Sequence, residues 1–152
     1  MRLYRLCRAP HRALDGEGAR LWGGRWNSPG LPVVYASTSL ALAALEYLVH
    51  LSAEDVPADL VALTMELPDD VESERVALAD LPVGWEQTPE PQGCKEIGDA
   101  WLRAGRTLAL RVPAAPVPEE ENVLLNPRHP DAAHVRVVAE RPFFFDPRLP
   151  EP

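Results

Sequence analysis

The sequence predicts an α+β protein: a compact mixed sheet core of about six short strands with two main helices, in one domain spanning residues 1–152. Three observations carry that expectation. Several short segments alternate apolar and polar residues at the period of a strand, and two longer ones repeat apolar residues at the period of a helix. Seventeen prolines divide the 152-residue chain into many short, rigid connections. With 46% hydrophobic residues, the chain has material for a real core.

In chain order, Arg2–Arg8 (RLYRLCR) sets Leu3, Arg5 and Cys7 on one side of a strand and Tyr4 and Leu6 on the other, which leaves open the face that is buried. Residues 9–31 carry Ala9-Pro10, Asp15-Gly16, Gly23-Gly24 and Pro29-Gly30 and read as one long loop. Loops of that length are functional or disordered, and Trp22 and Trp26 weigh against disorder. Residues 32–36 (PVVYA) form a short buried strand, and Ser37 or Ser39 caps the helix that follows to about Leu51. Residues 59–67 alternate Val61, Leu63, Met65 and Leu67 as a further strand. The acidic, proline-rich 68–93 region offers one helical turn near 76–81. Helical spacing through Ile97, Ala100, Trp101 and Ala104 marks 94–104 as the second helix, with Gly105 at its C-terminal cap. Strands at 107–112, 122–125 and 134–139 complete the sheet, and 141–146 (RPFFFD) closes against the core.

The first helix is apolar on all sides (Leu40, Leu42, Ala43, Leu45, Leu48, Val49) except for Glu46, so it reads as buried. An ionised carboxylate there costs several kcal/mol, on the order of a buried ion, unless a cation or hydrogen bonds meet it. The preceding GGRWN turn supplies Arg25, and the Arg25–Glu46 pair is the expected hub of the molecule.

The net charge of −8 argues against a general nucleic-acid binder. Its distribution is uneven. Residues 1–25 hold six arginines against Asp15 and Glu17, whereas 54–99 hold thirteen acids against Arg75 and Lys95. The cationic start is either a solvated surface or a pocket for an anionic small molecule, a task that suits the planar guanidinium fork. No apolar run approaches the ~20 residues of a membrane span and no leader opens the chain, so a cytoplasmic protein without membrane contact is expected. Cys7 and Cys94 lack metal-ligand spacing, as do His11, His50, His129 and His134. Neither a metal site nor a structural disulfide is expected.

Three blocks, GGRWNSPGLPVVYAS, ALAALEYLVH and VPAAPVPEEENVLLNPRHPD, together resemble the RES domain family, toxins of bacterial toxin–antitoxin pairs. The blocks stand in family order, and the likeness runs from Tyr4-Arg5 to Asp131. The resemblance implies a fold similar to diphtheria-type ADP-ribosyltransferases, NAD+ as substrate, and cleavage of its nicotinamide–ribose bond by hydrolysis or phosphorolysis. Transfer of ADP-ribose to a protein is the alternative activity. An Xre-like helix-turn-helix antitoxin is the implied partner, any DNA contact belongs to that partner, and a homodimer within the complex is compatible with the family. Carried over residue by residue, the resemblance gives Arg25, Tyr35 and Glu46 as catalytic, with Arg5 from the opening strand. Where the family serine follows Val-Pro, this chain has Ala114, so a catalytically weakened binding module is a third reading.

Cleavage of that bond passes through an oxocarbenium-like state, which a single carboxylate stabilises. Nicotinamide is already a cationic leaving group and needs no general acid. Glu46, the only acid between Glu17 and Glu54, fits that requirement. Arg25 would hold the pyrophosphate and steady Glu46, and Arg5 is either a second phosphate clamp or half of a buried ion pair. Tyr35 either stacks on nicotinamide or is a core tyrosine with a bonded hydroxyl. Asn27 bonds ribose or shapes its turn, and Ser37 is a ligand or a helix cap.

Overall fold

The computed structural model describes residues 1–51 and 56–149; the first two residues of the acidic 54–99 stretch and the end of the 1–152 domain lie outside them. Its strands are β1 (Arg2–Arg8), β2 (Val34–Ser37), β3 (Leu60–Glu66), β4 (Ser73–Arg75), β5 (Ala109–Ala114), β6 (Val117–Leu125) and β7 (Arg136–Pro142). They form one mixed sheet in the order β4-β5-β6-β2-β1-β3-β7, with only β4–β5 parallel. The helices are α1 (Glu17–Trp22), α2 (Leu40–Leu48) and α3 (Gln92–Ala104).

Alternation along the strands gives the sheet two buried faces. Leu3, Val34, Ala36, Met65, Ala109, Val123 and Leu125 pack together on one, where Met1, Leu14, Val71 and Val135 cover them. The other face carries both main helices. Leu6, Leu60 and Ala62 lie under Ala43 of α2, with Phe143 and Phe145 alongside. Leu110, Val112 and Leu124 lie under Cys94 and Trp101 of α3, together with Trp26 and Trp85. Two helices on one face of a largely antiparallel sheet are the expected α+β arrangement.

Several elements depart from the expectation. The 9–31 segment is not all loop: α1 forms within it, six residues without a buried side chain. β4 lies in the acidic region that showed no strand pattern, and β6 starts five residues before the expected strand. β7 runs on through Arg141 and Pro142, and α2 stops at Leu48. α2 is also less buried than its composition implies, with only Leu42 and Ala43 fully covered and Val49 beyond it exposed. The two thiols are free and buried in separate clusters.

Docking of α3 depends on Gly98, where a β-carbon would stand 1.7 Å from the Trp26 carbonyl oxygen. Only glycine lets helix and turn backbone approach that closely. Asp99, next in α3 and buried, accepts the Ser28 N–H at 2.8 Å. Consecutive α3 residues thereby fix the turn that carries Arg25.

Candidate active site

A cleft of about 870 Å³ opens on the helix-bearing face. Strand register builds its floor. Tyr4 stands opposite Ser37 and Ser37 opposite Asn122, so adjacent strands β1, β2 and β6 place these three side chains in one row. Tyr35, two residues before Ser37, points to the same face. Ala43, Glu46 and Tyr47 of α2 form one wall. The other comprises Gly23, Gly24, Arg25 and Trp26 with Glu86, Thr88 and Glu90 of the segment before α3.

Glu46 faces this cleft, but the expected ion pair with Arg25 is not formed. The carboxylate Oε1 instead accepts a hydrogen bond from Asn122 Nδ2 at 2.5 Å. Because α2 is only partly covered, the charge is not sealed from water and needs no counter-cation. Arg25 turns the other way: its Nη1 donates to the carbonyls of Trp85 (2.5 Å) and Gln87 (2.9 Å), clamping the segment before α3. Its Nε and Nη2 make no hydrogen bond among the described residues, so half of the guanidinium fork stays available at the cleft.

Tyr35 is held by its hydroxyl, which donates to Asn27 Oδ1 at 2.7 Å and accepts the Trp26 N–H at 3.1 Å. Burial pushes the phenol above its ordinary value of 10.0, so it stays protonated and its ring lines the cleft. Asn27 is a correction to the expected ribose ligand. It is fully buried, with Nδ2 directed at the carbonyls of Ala19, Ser28 and Leu31 and Oδ1 engaged by Tyr35. No polar atom of Asn27 remains for a substrate; it shapes the turn.

Arg5 borders the cleft from the opening strand, with its guanidinium directed elsewhere. It stands opposite Leu63, which stands opposite Glu140, on the face away from α2 and α3. Its Nη1 donates to the Ala13 carbonyl at 2.9 Å, and strand alternation leaves only its backbone beside the cleft. The cationic start of the chain resolves accordingly. Arg2, Arg8, Arg12 and Arg20 pair with Glu66, Asp59, Glu140 and Glu17 at the surface, leaving Arg25 as the one arginine whose charge reaches the cleft among the described residues.

Ser37 is neither helix cap nor free ligand: its hydroxyl donates to Asn122 Oδ1 at 2.7 Å, while Ser39 caps α2 by accepting the Leu42 N–H. Asn122 is the site residue that sequence reasoning missed. Its one visible signal is a polar side chain opening the apolar run NVLL, and the strand opposite it cannot be read from the sequence. Ala114 is fully buried at the end of β5, and Ala115 with Pro116 borders the cleft instead. Among the described residues no cluster of His, Cys, Asp or Glu can hold a metal, and no helix is long and apolar enough to cross a membrane.

This arrangement of sheet and helices is a fold already seen in a solved structure. A chain in the crystal structure of the M. tuberculosis MbcT-MbcA toxin-antitoxin complex is similar to it with a TM-score of 0.75 at 23% identity, over 93% of this chain and 83% of that one. The RES domain model matches residues 2–146, and the chain belongs to that family. It is 41% identical to the Prs ADP-ribosylating toxin of Sphingobium sp. (strain YBL2), over 90% of this chain and 86% of the relative. It is 39% identical to Toxin Res of Photorhabdus laumondii subsp. laumondii, over 98% and 97% of the two chains.

Proposed function

We infer that this RES-domain protein is the enzymatic toxin of a toxin–antitoxin pair, and we propose that it splits NAD+ at the nicotinamide–ribose bond, with water or phosphate as acceptor. The toxin names of its RES relatives support the first part. One observation carries the second: a lone helix carboxylate, Glu46, fixed through one oxygen at the edge of a cleft that has the half-engaged Arg25 guanidinium on its other wall.

In the proposed reaction the bond from ribose C1′ to the nicotinamide nitrogen breaks, and its electron pair neutralises the pyridinium. Positive charge develops at C1′, where the Glu46 carboxylate stabilises it. Water then adds to C1′ and releases its proton, giving ADP-ribose; phosphate in its place gives ADP-ribose 1″-phosphate. Arg25 binds the pyrophosphate through Nε and Nη2, and the Tyr35 ring packs on the nicotinamide. The protein acts in the cytoplasm as a single domain, restrained by an Xre-like helix-turn-helix antitoxin, with dimerisation of the toxin left to the complex.

The Sphingobium relative, an ADP-ribosylating toxin by name, favours a second reading, ADP-ribosylation of a protein. Incubating the purified chain with labelled NAD+, with and without phosphate, separates the two. Free ADP-ribose or its phosphate supports the first, and label on a protein band supports the second. If Glu46→Gln consumes NAD+ at the wild-type rate and arrests growth as before, both fail.

A further inference from the structure

We infer that Asn122 is the positioning residue of the reaction: held in orientation by Ser37, its side-chain amide grips one oxygen of Glu46 and leaves the other to face the ribose. The inference rests on the NAD+-cleaving reading above and adds to it the means by which the acid is aimed.

The arrangement runs in one direction. The Ser37 hydroxyl is 3% exposed as part of its residue and donates to Asn122 Oδ1 at 2.7 Å, which fixes the oxygen end of the amide toward β2. The N–H end must then face α2, where it meets Glu46 Oε1. A flipped amide would set its oxygen against a carboxylate oxygen, a repulsive contact. Asn122 itself cannot drift, because its backbone lies between Ser37 of β2 and Val112 of β5 in a paired ladder. Glu46, by contrast, has a flexible side chain on a short helix with two fully buried residues. Among the described residues the amide is its one hydrogen-bond partner, and no cation lies within ion-pair distance. The sheet therefore supplies the reference frame that α2 lacks. With Oε1 engaged, Oε2 is the atom that meets the charge developing at C1′. Orientation of this kind lowers the barrier without strengthening ground-state binding.

The test is steady-state NAD+ consumption by the full chain, with wild type and Glu46→Gln as references and thermal midpoints measured alongside. Loss of a hydrogen bond to a charged group predicts that Asn122→Ala lowers kcat by about 10- to 100-fold. Asn122→Asp keeps the shape and the Ser37 bond but faces Glu46 with a second carboxylate, and falls at least as far. Ser37→Ala frees the amide to turn and loses several-fold, on the order of 3- to 10-fold. In all three, KM for NAD+ stays within about threefold, as expected of an orienting group rather than a substrate ligand. If Asn122→Asp does not fold, Asn122→Ala decides. Folded Asn122→Ala with wild-type kcat, or a raised KM at unchanged kcat, overturns the inference while leaving the reaction intact. A wild-type chain that leaves NAD+ untouched overturns the reading of the reaction, and this inference with it.

Discussion

On one side of the cleft, the 23–31 turn, the 82–91 segment and α3 bury Trp26, Trp85 and Trp101, set the first two rings 6.3 Å apart at a 35° tilt, and interlock through Gly98 and Asp99. On the other, α2 covers two residues completely and is tied to the cleft floor by the Asn122 amide. The heavily packed wall carries Arg25 and, through Trp26 and Asn27, anchors Tyr35 of the floor, groups suited to binding and orientation. The light wall carries the acid. Stability and the proposed chemistry thus sit largely on opposite sides of one cavity, and the two can be perturbed separately.

Glu46→Gln sharpens that contrast most. Removing the negative charge that meets a developing cation costs about 10²- to 10³-fold in kcat, the range seen when preorganised electrostatic groups are deleted. On a half-covered helix the neutral isostere retains the fold, so the thermal midpoint is expected within roughly 2 °C of wild type. Gly98→Ala is the mirror case. Its added carbon collides with the Trp26 carbonyl, and relief requires α3 or the turn to move. A loss of about 3 kcal/mol in urea unfolding is expected, at the upper end for overpacking because the obstacle is backbone.

Tyr35→Phe is the next largest. It strands the Trp26 N–H and Asn27 Oδ1, at about 2 kcal/mol for the pair of lost bonds. It also changes the response to alkali. Burial raises the folded-state phenol above 10.0, whereas the unfolded chain ionises near that value. The unfolded state therefore loses its proton first. The stability associated with the neutral phenol is complete below pH 10 and is lost as pH rises toward the folded value. A stability profile taken upward from pH 10 should fall in wild type and fall less steeply in Tyr35→Phe. Equal slopes would remove Tyr35 as the cause.

What the sequence made legible follows the same division. Strict alternation at 59–67 and helical spacing at 94–104 reflect packing against a core, and both became elements near the expected bounds. Glu46, Arg25 and Tyr35 stand out because a lone acid in an apolar helix is conspicuous and because the family blocks surround them; all three line the cleft. α1 and β4 were not legible, since a six-residue helix without buried side chains and a three-residue strand carry no periodic signal. Arg5 could not be placed from sequence because alternation separates two faces without saying which bears the cleft. Asn122 was missed because the β2–β6 register, which sets it against Ser37, is a property of the folded sheet.

The smallest predicted effect probes the light wall alone. Ser39 is the N-cap of α2, its oxygen accepting the Leu42 N–H at 3.1 Å, and Ser39→Ala removes that cap at about 1 kcal/mol. A nine-residue helix is too short to persist without its packing and caps, so the loss should appear first as faster amide exchange along Leu40–Leu48. Exchange in α3, on the other side of the cleft, should change only by the global destabilisation. If α2 and α3 amides speed up equally beyond that amount, the two walls open as one unit, and the acid does not ride on a separately adjustable element.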